Sequence, residues 1–351
     1  DGTALTIVPS PNTNATADFF TGIACTSDTS CWATGYATSG GSDTAFIARW
    51  DGATWSVSPT PSISGNSDLR SVSCASTTLC WAVGYSSTPT GVASENVDYQ
   101  PLILQWNGVA WAVATAPSNL PVTSTLLYGV ACGAPTQCWA VGYVSNSTTA
   151  QPYTAHWDGT AWSTGAAATP NTSQTTVLSA VACGSPASCI GVGYTSPSSS
   201  QRQTLAERWD GTSWTLLTPP AVATTFTTLQ AVACAGATNC WLAGFGQSPG
   251  SPQTLVEHWD GGTLSVTPTQ NAHSTFPNYL YGVACSSSDC LTVGYWAGLT
   301  QDTLGGHTLV ELRGSSPQPS VPEWPWPPLG VLLAVLATTL RNTLSRRKHR
   351  P

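Results

Sequence analysis

Few residues in this sequence can do covalent or acid–base chemistry, and the cysteines are the most ordered of them. All twelve fall into six local pairs, Cys25/Cys31, Cys74/Cys80, Cys132/Cys138, Cys183/Cys189, Cys234/Cys240 and Cys285/Cys290, with none left over. A zinc site draws two such pairs onto one ion, usually at the tighter Cys-x-x-Cys spacing, whereas here one pair recurs about every fifty residues. The pattern suits disulfides across hairpins, and those form in an oxidising compartment. Chain-entropy reasoning assigns about 2 kcal/mol to each loop of this length.

Other chemistry is scarce, because only 8% of the 351 residues are charged. Arg49 and Arg208 precede Trp50 and Trp209 in a slot that holds Gln105, His156, His258 and Leu312 elsewhere, which reads as a varied, solvated strand face. Glu207, Glu257 and Glu311 share another slot, occupied by Ala48, Leu104 and Ala155 in the earlier copies, and are placed to pair with neighbours across units. His156, His258, His273 and His307 lie in different units, so no shared metal site is expected. No Ser/His/Asp order, phosphate loop or calcium loop stands out. The expectation is a chain without catalytic residues, metal or cofactor, and not an enzyme. Residues 1–320 carry five Arg and no Lys against sixteen acids, net −11, which repels phosphate and argues against nucleic acid as a partner.

The elements that hold these residues come from an internal repeat. Segments starting near residues 22, 71, 129, 180, 231 and 282 share small-Val-small-Cys, a polar loop, Cys-Trp-Ala-Val-Gly-Tyr, a variable loop, and Trp-Asp-Gly-x-x-Trp-Ser-Val. Each unit contains four short β-type runs bounded by turn residues, positions A to D. The residues flanking the central Val or Ile of A are tiny in every copy, from Gly22 and Ala24 to Gly282 and Ala284, as required where strands crowd toward an axis. Tryptophans at C and D, such as Trp106 and Trp111, fill a widening outer wedge. The Gly of B (Gly35, Gly84, Gly142, Gly193, Gly244, Gly294) marks a bulge or a close sheet contact.

The sixth copy ends at Glu311-Leu312-Arg313-Gly314 without a D strand, while Asp1 to Pro11 aligns with Asp51 to Pro61. The N-terminal strand therefore replaces the lost one and closes the last unit, hiding the sheet edges. The prediction is all-β: a six-bladed β-propeller of four-stranded antiparallel blades over 1–314. Through Cys80-Trp81-Ala82-Val83-Gly84-Tyr85 and Trp209-Asp210-Gly211-Thr212-Ser213-Trp214, the chain resembles the secreted bacterial β-propeller repeat proteins. That resemblance implies a surface or extracellular module and supplies no catalytic residue.

Residues 315–323 form a Pro/Ser linker, 324–344 an apolar transmembrane or anchor helix, and 345–351 a basic cytoplasmic tail. Val321-Pro322-Glu323, the apolar run Leu329 to Leu340 and the cluster with Arg346 and Arg347 resemble a C-terminal sorting signal of the Val-Pro-Glu-Pro type, although Trp324 stands at the final Pro. The resemblance implies membrane attachment and an exosortase-like processing enzyme as a partner. With no Met anywhere, a secretory signal is expected to have been removed.

Two faces follow from loop lengths. The disulfide-closed A–B loops and Asp-Gly C–D turns make one compact face, and the B–C and D–A loops make the other. The least repetitive residues lie on the latter: Glu95, Asp98, Tyr99, Arg202, Phe276, Tyr279, Trp296, Asp302 and His307. The leading expectation is a non-enzymatic surface module that binds a protein or glycan there. The alternatives are a lectin with sugar sites at Glu207-Arg208-Trp209 and Glu257-His258-Trp259, and a secreted hydrolase or lyase with an axial site.

Overall fold

The computed structural model describes residues 8–313, apart from 89–97, 118–123, 146–148, 169–172, 199, 223, 225, 248–249, 273–274, 287–288 and 301–302. The tail motifs, the N-terminal strand and the anchor helix named above lie outside these residues, as do Glu95 and Asp302. Every regular element described is a strand. Sheet 1 comprises β1 (Ala17–Ser27), β2 (Ser30–Ser39), β3 (Ser42–Trp50) and β4 (Trp55–Ser58). Sheet 2 comprises β5 (Asn66–Ser76), β6 (Leu79–Thr88), β7 (Asp98–Trp106) and β8 (Trp111–Val113). Sheet 3 follows with β9 (Ser124–Ala134), β10 (Gln137–Ser145), β11 (Ala150–Trp157) and β12 (Trp162–Gly165). In sheet 4 are β13 (Thr175–Ser185), β14 (Ser188–Ser198), β15 (Gln201–Trp209) and β16 (Trp214–Leu216). Sheet 5 holds β17 (Phe226–Gly236), β18 (Asn239–Gln247), β19 (Gln253–Trp259) and β20 (Leu264–Thr267), and sheet 6 holds β21 (Asn278–Cys285), β22 (Cys290–Thr300) and β23 (Thr303–Arg313). Each is an antiparallel meander, and one parallel bridge, Arg202 to Phe226, links sheets 4 and 5.

The A strands stack in chain order, β1 on β5, β5 on β9, and so on to β21. Small residues permit this: a Cβ on Gly22 would lie 3.0 Å from Ser71 Cα, and one on Gly129 3.0 Å from Ala180 Cα. The Ser71 and Ser73 hydroxyls then accept hydrogen bonds from Val130 N and Cys132 N of the next sheet. Farther out, the B-strand tryptophan wedges between the C- and D-strand tryptophans of the following sheet. Trp81 lies 4.7 Å from Trp157 and 5.1 Å from Trp162, and Trp139 repeats this with Trp209 and Trp214. Such aromatic pairs contribute about 0.5–1.5 kcal/mol beyond the area they bury.

The cysteine pairs Cys25–Cys31, Cys74–Cys80, Cys132–Cys138, Cys183–Cys189, Cys234–Cys240 and Cys285–Cys290 are all disulfides joining directly paired A and B residues, and no described cysteine is free. The two ends of each bridge differ in burial. The B-strand partners Cys31, Cys80, Cys138, Cys189, Cys240 and Cys290 are buried, whereas Cys25 is exposed and the other A-strand partners are half-buried. The cause is position within the sheet: B lies between A and C, so its side chains are covered by the adjoining sheets. Cys138 packs in the cluster of Trp81 and Trp162, Cys189 in that of Trp139 and Trp214, and Cys240 in that of Ile190 and Trp259. These sulfurs are therefore core atoms as well as cross-links.

Six disulfides fit an extracellular or secreted protein. No helix among the described residues is long and apolar enough to cross a membrane. The turns of the compact face are built as expected. Asp51 Oδ1 accepts from Ala53 N and Thr54 N, Gly52 takes φ +99°, and the turn rests on Thr29 of the A–B loop.

Candidate functional site

The B-strand glycine and a bulge in the A strand create the site together. A Cβ on Gly35 would sit 1.8 Å from Phe19 O, one on Gly84 1.9 Å from Asp68 O, and the other four copies are equally tight, so no side chain fits. That approach pushes one A-strand residue per sheet out of register: Thr21, Arg70, Tyr128, Ser179, Gln230 and Tyr281. The motif aromatic that follows the glycine pairs opposite the residue two before the bulge, as in Phe19 to Tyr36, Asp68 to Tyr85 and Tyr279 to Tyr295. Bulge residues and motif aromatics thus share the end of the inner strands that carries the B–C and D–A connections. We call this end the inner mouth.

Aromatic contacts run along the mouth from sheet to sheet. Arg70 lies over Tyr36 at 5.5 Å and Tyr85 at 5.0 Å, and Tyr85 meets Tyr99 edge-on at 5.2 Å. Tyr128 and Tyr143 follow in sheet 3, their ring centroids 5.7 Å apart. Arg202 lies between Tyr194 and Phe226, and Phe245 packs on Tyr279, which stacks with Tyr281 and Tyr295. Tyr36 and Tyr281 are buried, whereas Tyr85, Tyr99, Tyr128, Tyr143, Tyr194, Tyr279 and Tyr295 are half-buried.

At sheet 2 the mouth contains converging ionisable groups. The Arg70 guanidinium pairs with Asp68 Oδ2 at 2.7 Å and bonds the Tyr85 hydroxyl, which itself donates to Asp68 Oδ2 at 2.8 Å. Burial raises the Asp68 carboxyl, partly opposed by the Arg70 charge, and burial also raises the Tyr85 and Tyr128 phenols. These groups can offer a proton, a cation and phenolic hydroxyls beside aromatic rings. The sequence reading missed them because it sought variation in loops. The signal was the single A-strand slot, just before the small residue, which holds Thr, Arg, Tyr, Ser, Gln and Tyr in successive units.

Of the residues expected at the binding face, Tyr99, Arg202 and Tyr279 join the mouth. Phe276, Trp296 and His307 form a separate stack, His307 lying 4.1 Å from Trp296 and Phe276 6.4 Å from it. Asp98 lies opposite Thr88, at the start of β7. The imagined sugar sites at Glu207 and Glu257 are corrected: both carboxyls are 0% exposed and lie between sheets. Glu207 Oε2 accepts from Ala168 N of the preceding connection at 3.0 Å, a pairing across units. Burial pushes both carboxyls up to about 7. His156 and His258 are structural too, bonded to Gln137 and Asn239 and stacked on Trp139 and Trp241.

No family model matches this chain, and no curated protein sequence matches it. Solved structures of similar fold include a protein of unknown function from Dyadobacter fermentans DSM 18053, 11% identical, covering 84% of this chain and 95% of its own at a TM-score of 0.50. YCF48 bound to a D1 peptide is 14% identical over 89% of this chain and 100% of its own, with a TM-score of 0.37. A PL25 ulvan lyase bound to -[GlcA(1-4)Rha3S]- is 8% identical over 81% and 78%, at 0.48. At such identities the likeness shows the fold alone: an all-β, propeller-like array of antiparallel sheets.

Glycosyl hydrolases stand beside that lyase among the similar structures. The expectation that this chain is not an enzyme is corrected at the mouth of sheet 2, where Asp68, Arg70 and Tyr85 bring a carboxyl, a guanidinium and a phenol into hydrogen-bond contact. That expectation rests on the absence of a catalytic constellation from the sequence; the three groups all belong to sheet 2.

Proposed function

We propose that this protein is a six-bladed β-propeller, closed by its own N-terminal strand, that binds a saccharide at the inner mouth. Two observations support closure. Ala15 packs on sheet 1 much as Ile63 packs on sheet 2 and Ala168 on sheet 4, so the N-terminal segment occupies the place of a D–A connection. Ile23 is 61% exposed, whereas its counterparts Val72, Val130, Val181 and Val232 are buried against the preceding sheet. That open face is the one sheet 6 covers when residues 1–9 pair with β23.

The observation that carries the function is the line of half-buried aromatic rings over the whole mouth, broken by Asp68, Arg70 and Arg202. Pyranose rings present C–H faces that pack on aromatics, while their hydroxyls take hydrogen bonds from phenols, guanidinium and carboxyl groups. The expected result is selective binding of saccharides on a glycan array probed with the full chain, lost on Tyr85→Ala or Tyr128→Ala. Uniform failure to bind defeats the proposal.

A second reading, a hydrolase or lyase at the same mouth, is favoured by the buried, raised carboxyl of Asp68 beside Arg70 and Tyr85. A carboxyl raised by burial, in hydrogen-bond contact with a guanidinium and a phenol, has the parts of a proton-transfer site. Release of reducing ends or unsaturated products from array-selected glycans, abolished by Asp68→Asn, distinguishes it from binding alone. The tail motifs further lead us to propose attachment to the cell surface through residues 324–344, with the propeller outside.

A further inference from the structure

Arg202 is a mouth cation that no described carboxylate neutralises. Among the described residues the one ion pair joins Arg70 to Asp68, and Arg202 has no carboxylate within reach. Its guanidinium carbon instead lies 4.1 Å from the Tyr194 ring and 4.9 Å from the Phe226 ring, clasped at the seam of sheets 4 and 5.

The backbone there is fixed. Arg202 pairs with Phe226 in the parallel bridge, its carbonyl accepts from Thr227 Oγ1 at 3.4 Å, and that same hydroxyl accepts from Thr204 N at 3.0 Å. Rings packed beside a planar guanidinium leave its edge, a fork of N–H donors, for an oxyanion. Scarcity of carboxylates is not the reason Arg202 is unpaired, because residues 1–320 hold sixteen acids and five arginines.

The acids are placed elsewhere around the same end. Asp18 is engaged by Thr13, Asp43 by Thr38 and Asp68 by Arg70, all in sheets 1 and 2 or the segment leading into them. The bulge slots nearest Arg202 hold Ser179 and Gln230, which are neutral and half-buried. The mouth is therefore polarised, with carboxylates at one side and a clasped, unpaired guanidinium at the other.

We infer that the saccharide of this mouth is acidic, its carboxylate or sulfate group docking on Arg202 while neighbouring rings pack on Tyr194 and Phe226. This rests on the saccharide-binding function proposed above and adds the ligand's charge and orientation. The test titrates the full chain with an oligogalacturonate, its methyl ester, and a sulfated oligosaccharide of matching length. A charge-assisted bidentate contact is worth about tenfold or more in affinity, so the free acid should bind at least about tenfold tighter than the ester.

Arg202→Gln should abolish that preference, so that acid and ester bind alike, and Arg202→Lys should restore part of it. Preference for the sulfated ligand over galacturonate identifies the anion as sulfate, and the reverse order as carboxylate. Equal affinity for acid and ester, or a preference that survives Arg202→Gln, overturns the inference and leaves saccharide binding standing if Tyr128→Ala weakens both ligands. Absence of binding by any of these ligands and by a neutral glycan array overturns both.

Discussion

The seams between sheets 1, 2 and 3 and those between sheets 3, 4, 5 and 6 solve the same packing problem with different chemistry. In the first group the central C-strand slot holds Leu104 and Ala155, both 0% exposed, and the tryptophan wedges complete a dry interface. In the second group that slot holds Glu207, Glu257 and Glu311, equally enclosed. The wedge persists at the seam between sheets 3 and 4. Beyond it Ile190 replaces the B-strand Trp at the next seam, and Leu264 takes the D-strand position of sheet 5. One half of the molecule is held by apolar and indole packing with hydroxyl bonds between the A strands, while the other also encloses carboxyls that fold best when protonated. A single repeat thus supports seams that differ in their response to pH.

The largest expected effect tests the dry half. Trp81→Ala empties the gap between Trp157 and Trp162 and should cost about 3–5 kcal/mol in denaturant unfolding. A loss under about 1 kcal/mol would mean that the wedge does not hold the seam.

The carboxyl-bearing half is tested by pH. Glu207 and Glu257 sit at about 7 in the folded protein against an ordinary 4.5, so they are protonated when folded and ionised when unfolded between those values. Their contribution is whole below about 4.5 and is lost as pH rises through about 7. This corresponds to about 3 kcal/mol each as an upper bound. Melting temperature should therefore fall from pH 5 to pH 8, and Glu207→Gln with Glu257→Gln should flatten the slope. His156 and His258 are held below their ordinary value by burial and pull the other way, so the comparison of variants decides.

Converting one seam into the other sharpens the contrast. Glu257→Leu, which copies Leu104, should stabilise the protein at pH 8 by about 1–3 kcal/mol and change little at pH 4.5. Replacing Cys74 and Cys80 together by Ala, which keeps the buried Cys80 position apolar, should cost about 2 kcal/mol by the chain-entropy model, with the seam's pH response intact. The smallest shift belongs to Asp210→Ala on the compact face. The carboxylate is fully exposed and held down to about 2 by the Thr212 hydroxyl and the Ser213 and Thr212 amides, so its benefit is present above about pH 4 and fades as pH falls through about 2. A small drop in melting temperature at neutral pH is expected.

Much of the architecture was legible because it rests on repetition. The cystines, the small residues of Gly22 and Gly129, the bulge glycines and the Asp-Gly turns each recur for a steric reason that a periodic sequence displays. Spacing did not reveal that Cys31, Cys138, Cys189 and Cys240 enter the core, because their cover comes from other strands and sheets. The mouth was less legible, because Tyr36, Tyr85 and Tyr143 looked like motif packing and the bulge that aligns them with Arg70 and Tyr128 leaves no mark beyond one variable slot. Glu207 was legible as a partner across units, but the depth of its slot and that of Glu257 was not. A carboxylate on a strand ordinarily signals solvent, and only the neighbouring sheet makes the slot interior. Nothing in the spacing of Arg202 announced its clasp, since Phe226 comes from another unit.

The central claim is that the inner mouth binds saccharide through its aromatic row. It is tested most directly by equilibrium titration of an array-selected oligosaccharide against the wild-type chain and Tyr128→Ala, each first shown to be folded by its melting transition. The account predicts at least a tenfold loss of affinity, about 1.4 kcal/mol, with the melting transition still cooperative. Unchanged affinity in the folded variant would contradict it.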